Sequence, residues 1–179
     1  MSKAVFLDRD GVVNKAFVVN GLPKPPRTIR EVEILPGVQR AVSILRQLNF
    51  EIVIVTNQPD AARGLVTVES VVEINDYLKL ELGIAHVYTC FHDDTDECNC
   101  RKPQPGLILR AAKDLAIDLS ASSLVGDRWR DISAGQAAGC ETYFIDNLYS
   151  EEQPRKPYTT VSSLLEAVEL LTGDQHGTR

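Results

Sequence analysis

Short apolar runs alternate with helical periodicities along the chain. Ala4–Leu7 is an unbroken apolar run of strand length, closed by Asp8-Arg-Asp-Gly11. A polar stretch from about Asn14 to Glu33, with Gly21, Pro23, Pro25 and Pro26, predicts a loop. After Pro36-Gly37, Val38, Ala41, Val42, Ile44 and Leu45 recur at three-to-four spacing, the period of an amphipathic helix. Glu51–Thr56 is β-branched and nearly continuous, as in a strand covered on both faces. Further helices are predicted at about Val68–Leu82, Gly106–Leu115, Ile132–Ala138 and Ser162–Leu171. Further strands are predicted at Val87–Thr89, Ser123–Gly126 and Thr142–Ile145, and Thr172–Arg179 reads as a frayed polar tail. Strands alternating with helices predict βαβ units. The expected fold is therefore α/β: a Rossmann-like three-layer sandwich with a mainly parallel sheet.

Composition narrows the class. A chain of 179 residues, without a repeat or a linker, fits a single domain spanning 1–179. Hydrophobic residues at 44% and charged residues at 25% exclude a disordered or fibrous chain. The net charge of −6 argues against nucleic acid and anionic membranes as partners, since both are polyanions. No apolar run reaches the length of a membrane span, and the four apolar residues before Asp8 are too few for a signal-peptide core. Of the four cysteines, Cys90, Cys98 and Cys100 share one short window with His92, whereas Cys140 follows Gly139 and suits a small core position. That pattern predicts a cytoplasmic protein whose thiols bind metal, not a disulfide scaffold.

In open α/β sheets ligands sit beyond the carboxyl ends of the strands. Asp8 and Asp10 follow the first strand. Thr56, Asn57 and Gln58 follow the second, and Asp127 with Asp131 follows Ser123–Gly126. Lys102 comes after the cysteine segment. Each alone is ordinary: Asp-x-Asp-Gly is a common turn, Asp127 suits a helix cap, and a lone lysine is a solvated charge. Together, in order, they supply what phosphoryl transfer needs. One carboxylate attacks phosphorus, and a second protonates the leaving oxygen and later activates water. A hard cation on oxygen ligands neutralises the phosphate, while a lysine and a hydroxyl hold its oxygens.

Phe6-Leu-Asp-Arg-Asp-Gly11, Val55-Thr-Asn-Gln58, Lys102 and Val125-Gly-Asp-Arg-Trp-Arg-Asp-Ile132 resemble the four motifs of the haloacid dehalogenase superfamily of phosphatases. The resemblance spans roughly Ala4 to Ile145. It implies Asp8 as nucleophile, Asp10 as general acid and base, and Thr56 and Lys102 as holders of the phosphoryl group. It implies Mg²⁺ on the Asp8 side chain, the Asp10 carbonyl and Asp127, with Asp131 orienting Lys102 or a metal-bound water. Trp129, bulky within the fourth motif, reads as surface packing before it reads as a substrate wall.

Cys90-Phe-His92 and Cys98-Asn-Cys100 supply three thiolates and one imidazole, the closed donor set of structural Zn²⁺, in a loop over 90–100. This loop followed by Arg101-Lys102-Pro103 looks like the histidinol-phosphate and heptose-bisphosphate phosphatase branch of that superfamily, which lacks a large cap domain. The branch implies an open site and a small phosphorylated sugar as substrate, with contacts at Asn57, Gln58, Arg63, Arg101 and Arg128. Ala62-Arg63-Gly64 and Lys102-Pro-Gln-Pro-Gly106 look more like the heptose enzymes, which act on the 7-phosphate of a heptose 1,7-bisphosphate. Ala16–Val19 fall where the branch's substrate loop lies; being mostly apolar, they suit backbone contact. A monomer is expected. A receiver-type phosphoacceptor domain is the rival from another class, but there the phosphorylated Asp follows the third strand. A zinc-ribbon nucleic-acid module is opposed by the acidic charge.

Overall fold

A computed structural model describes residues 1–173. Its centre is β1 (Ala4–Leu7), hydrogen-bonded in parallel to β4 (Glu51–Asn57) on one side and β6 (Ser123–Gly126) on the other. With β5 (His86–Cys90), β7 (Glu141–Ile145) and β8 (Thr159–Val161) the six-stranded order is β5-β4-β1-β6-β7-β8, and every pairing is parallel.

Alternation along β1 divides the core. Val5 and Leu7 face α1 (Val38–Gln47), α2 (Val68–Leu82) and α5 (Leu164–Thr172). Ala4 and Phe6 face α3 (Gly106–Leu115) and α4 (Trp129–Ala138). Both faces of the strand are buried, which explains why its sequence shows no polar alternation. The expected three-layer α/β sandwich is what the chain forms. Cys140 is buried in the α3–α4 layer, as a small core residue.

Four elements differ from expectation. Asn14–Glu33 is not a plain loop: β2 (Phe17–Val19) and β3 (Leu22–Lys24) form an antiparallel hairpin, and a short 3-10 helix covers Ile29–Glu31. Asn20 (φ 53°) and Gly21 (φ 76°) make its two-residue turn, since a tight hairpin turn whose twist matches its strands needs positive φ at both positions. Helix α4 begins at Trp129, three residues before the predicted start. Asp131 therefore sits in its first turn, where one carboxylate oxygen accepts from the Arg128 N–H at 3.0 Å. The third, β8, is only three residues long and follows Pro154 and Pro157, so no strand pattern announces it. Lastly, Thr172 closes α5 and Gly173 caps it in the left-handed region (φ 69°); the rest of the predicted tail lies outside the described residues.

Phe6 fills the α3–α4 side of the central strand and is fully buried. Phe6→Ala should cost about 3–5 kcal/mol of stability. Urea denaturation measures it, and a loss below about 1 kcal/mol would contradict this account of the core.

Candidate active site

The carboxyl ends of β1, β4, β6 and β7 meet at one rim. The Asp8 N–H donates to the Val125 carbonyl (3.0 Å), extending the β1–β6 pairing by one residue and fixing where that side chain emerges. Gly11 then turns the chain with φ 95°; a Cβ there would overlap the Asp127 carboxylate. Asp8, Asp127 and Asp131 are all buried, and one oxygen from each falls within 4.8 Å of the others.

Lys102 reaches into this group. Its Nζ lies 2.5 Å from Asp8 Oδ1, 2.5 Å from Asp131 Oδ1 and 2.8 Å from the Val55 carbonyl. The three donors of an ammonium thus find three acceptors. Burial works to discharge the amine, but Asp131 and Asp8 hold it above the ordinary lysine range. Asn57 fixes its backbone, donating to the Lys102 carbonyl (3.0 Å) and accepting from the Lys102 N–H (3.1 Å).

The acids remain short of positive charge. Burial pushes Asp8 up to about 7; Lys102 pulls the other way, and Asp131 and Asp10 add to the rise. Asp127 is raised well above the carboxylate range, by burial first and then by Asp8 and Asp131. Asp127 Oδ2 accepts from the Tyr149 hydroxyl (2.8 Å) and from Asn147 Nδ2 (3.1 Å), while its buried Oδ1 has no hydrogen-bond partner among the described residues. Three carboxylates against one ammonium leave two negative charges, and an oxygen-only set with one unpartnered oxygen suits a hard divalent cation.

Asp10 is held differently. Arg9 Nε (3.1 Å) and Nη2 (3.0 Å) fork onto its two oxygens, Asn14 Nδ2 donates at 3.0 Å, and Gln58 Nε2 donates at 2.7 Å. Gln58 also donates to Thr56 Oγ1 (2.8 Å). Gln58 and Thr56 are both buried and do not line the cleft over the site.

The cleft opens between the hairpin and the loop that carries the cysteines. Asp8, Asp10 and Lys102 lie on its floor. Leu22–Pro25 supply the hairpin wall; of Ala16–Val19, the predicted substrate loop, Phe17–Val19 form the exposed strand β2. Arg63, Arg101 and Arg128 all reach the cleft, and each already has an acidic partner. Arg63 forks onto Asp93 and holds its carboxyl down at about 2. Arg101 Nε binds Asp94 at 2.9 Å, and Arg128 forks onto Glu151. Trp129 is not among the residues lining this cleft; the Arg130 guanidinium lies over its ring, 4.8 Å from the ring centre.

Cys90 ends β5, and His92, Cys98 and Cys100 close around it. His92 Nδ1 is 3.4 Å from Cys90 Sγ and 3.2 Å from Cys100 Sγ, and Cys98 and Cys100 are 3.5 Å apart. All four donor atoms lie within 4.8 Å of one another. Burial and the Cys100 thiol push Cys90 up to about 12, whereas Cys98, against its burial, is brought down to about 7 by hydrogen bonds, from the Arg101 N–H first. Three thiols and an imidazole at this spacing are the donor set of a tetrahedral structural zinc site. Gly106 backs onto the segment so closely that a Cβ would strike the Asn99 carbonyl.

Sequence reasoning passed over three contributors. Asn147 and Tyr149 follow the carboxyl end of β7, and that position was the only available signal. Arg9, given no role of its own in the Asp-Arg-Asp motif, is fully buried.

A buried carboxylate trio, a bridging lysine and a neighbouring Asp-x-Asp at the rim of a parallel sheet define a phosphoryl-transfer hydrolase. The haloacid dehalogenase-like hydrolase family model matches residues 18–139. D-glycero-beta-D-manno-heptose-1,7-bisphosphate 7-phosphatase of Photorhabdus laumondii is 35% identical over 147 residues, 75% of each chain. The alpha-anomer enzyme of the same organism is 36% identical over 155 residues, 80% of this chain and 81% of that one. The crystal structure of D,D-heptose 1,7-bisphosphate phosphatase from B. bronchiseptica, complexed with magnesium and phosphate, superposes with a TM-score of 0.84 at 28% identity, covering 96% of this chain and 99% of that one. The chain belongs to the haloacid dehalogenase-like hydrolases, within the group of the D-glycero-D-manno-heptose-1,7-bisphosphate 7-phosphatases, and it is a phosphatase.

Asp8 has a folded pKa near 7, above its ordinary value of 3.8, and Asp127 is shifted the same way. The cation-free fold therefore favours their protonated forms and loses stability as pH rises from about 4 through about 7. A divalent cation needs the ionised forms and offsets that loss. Mg²⁺ should thus raise the melting temperature by several degrees at pH 8 and hardly at all at pH 5. Thermal denaturation checks this, and equal shifts at both pH values would refute it.

Proposed function

We propose that the protein removes the 7-phosphate from D-glycero-D-manno-heptose 1,7-bisphosphate, using Mg²⁺, on the way to nucleotide-heptose or lipopolysaccharide-core precursors. The observation that carries this reading is a single cleft with two separate places for a phosphate. Its floor holds the reacting carboxylates and Lys102; its walls carry Arg63, Arg101 and Arg128. A substrate with phosphates at two ends has a partner for each. The named relatives and the superposable structure support the same substrate.

Asp8 attacks phosphorus, the bond to the sugar oxygen breaks, and Asp10 gives that oxygen a proton. Asp10 then takes a proton from water, which attacks the aspartyl-phosphate, releases phosphate and restores Asp8. Lys102 holds a phosphoryl oxygen while Asp131 keeps the ammonium in place. Thr56, buried behind the cleft lining, acts through Gln58, which donates both to its hydroxyl and to Asp10. Asp8, Asp127 and the Asp10 carbonyl would hold Mg²⁺, which when bound neutralises the phosphoryl charge. Asn57 and Gln58 serve the substrate indirectly, through Lys102 and Asp10. The arginines bind the second phosphate by exchanging it for Asp93, Asp94 and Glu151.

Zn²⁺ on Cys90, His92, Cys98 and Cys100 would fix the loop that delivers Arg101 and Lys102. A thiol-rich site of this kind suits a reducing cytoplasm. The protein acts as a monomer, and the whole chain forms one phosphatase domain. The acidic net charge supports the absence of nucleic-acid and membrane partners. Among the described residues no helix is long and apolar enough to cross a membrane.

Asp8→Asn should abolish phosphate release; retained turnover would sink the nucleophile assignment. The wild-type kcat/KM for heptose 1,7-bisphosphate should exceed that for histidinol phosphate by at least about 100-fold, and the reverse preference would overturn the substrate. Metal analysis should find about one zinc per chain, lost in Cys98→Ser together with several degrees of melting temperature. Zinc-free wild-type protein grown with ample zinc would contradict the structural site.

A further inference from the structure

Arg9 is a fully buried guanidinium with no place in the reaction described above. It lies between the two catalytic carboxylates in sequence, but it faces away from the cleft. Nε and Nη2 fork onto Asp10, while Nη1 donates to Asn75 Oδ1 on α2 at 2.9 Å. Asn75 Nδ2 in turn donates to Thr89 Oγ1 on β5 at 3.1 Å. A continuous polar chain thus runs from β5 through α2 to the Asp10 carboxylate.

Stability is a weak reason for this arrangement. Desolvating a guanidinium costs several kcal/mol, and apolar residues of equal volume often replace a buried ion pair without loss. Asp10 has other donors, Asn14 and Gln58, but each offers one N–H to one oxygen. Only Arg9 spans both oxygens. A planar fork fixes the plane of a carboxylate as well as its position.

We propose that Arg9 is the positioning residue of Asp10, holding the plane of its carboxyl so that one oxygen meets the leaving group and then the attacking water. This rests on the acid–base reading of Asp10. The bond changes are those already given, and Arg9 itself exchanges no proton. Without the fork the carboxyl turns about its Cβ–Cγ bond, and proton transfer suffers while attack by Asp8 does not.

Leaving-group dependence separates these steps. An alkyl phosphate needs a proton on its departing oxygen; 2,4-dinitrophenyl phosphate does not. In Arg9→Met, phosphoenzyme formation from the alkyl ester should slow by about 100-fold or more, the scale of general-acid catalysis. The burst rate with the dinitrophenyl ester should stay within about threefold of wild type. Asn75→Ala removes the anchor on the far side of the guanidinium while leaving the Arg9–Asp10 pair in place, so it tests the same point if Arg9→Met does not fold. It should show the same split at about tenfold. Equal losses on both esters in the folded variants would overturn the proposal. Asp10→Asn is the reference: a split there without one in Arg9→Met or Asn75→Ala defeats the role of Arg9 alone. No split in Asp10→Asn defeats the acid–base reading beneath it.

Discussion

Everything at the rim hangs on one buried ammonium. Lys102 Nζ touches Asp8 from β1, Asp131 from α4 and the Val55 carbonyl from β4. It therefore ties three separate elements together at the point where chemistry happens. Remove it and three carboxylates face each other in a desolvated pocket, a state the fold can accept only by taking up protons. Its reach depends in turn on Asn57 clamping its backbone and on the cysteine-bearing segment that immediately precedes it. The metal-type cluster and the catalytic rim are thus one mechanical unit, although their chemistry is unrelated.

Acidity and anion binding are compatible because charge is sorted by depth. The chain carries six excess negative charges overall. Several of its acids are spent in place: Asp8, Asp127 and Asp131 on the floor, Asp93 and Asp94 against arginines on the wall, Glu151 against Arg128. Paired arginines are held in place before any ligand arrives, which lowers the side-chain entropy lost on binding. The cost is that an incoming anion must displace a carboxylate, so weakly charged ligands compete poorly.

Much of this was legible in the chain. Asp8, Thr56 and Asp127 follow apolar runs that could only be buried strands, and a parallel sheet sends all such ends to one side. The helices at Val68–Leu82 and Gly106–Leu115 were readable from apolar spacing because tertiary packing agrees with it. Asn20-Gly21 carried a hairpin signal, but Pro23 on its far strand and Pro25 just beyond it read as loop. Helix α4 starts early because Asp131 caps it, a contact between a side chain and a backbone three residues back that apolar periodicity cannot report. Arg9, Asn147 and Tyr149 stayed hidden for a common reason: their roles are to hold other side chains, and such roles depend on orientation, not on spacing along the chain.

The hairpin β2–β3 forms a two-stranded sheet of its own beside the six-stranded sheet, its turn tied down where the Gly21 carbonyl accepts from the Ser150 N–H. It nonetheless supplies one wall of the cleft. The groups that make and break bonds are locked into the sheet rim, whereas on the hairpin wall Leu22 is exposed and Pro23 and Lys24 are half-buried. Surface changes there cost little stability. In evolutionary terms the wall can drift toward new phosphate esters while the reaction stays constant, so a family of this build is expected to diversify in substrate long before it diversifies in chemistry.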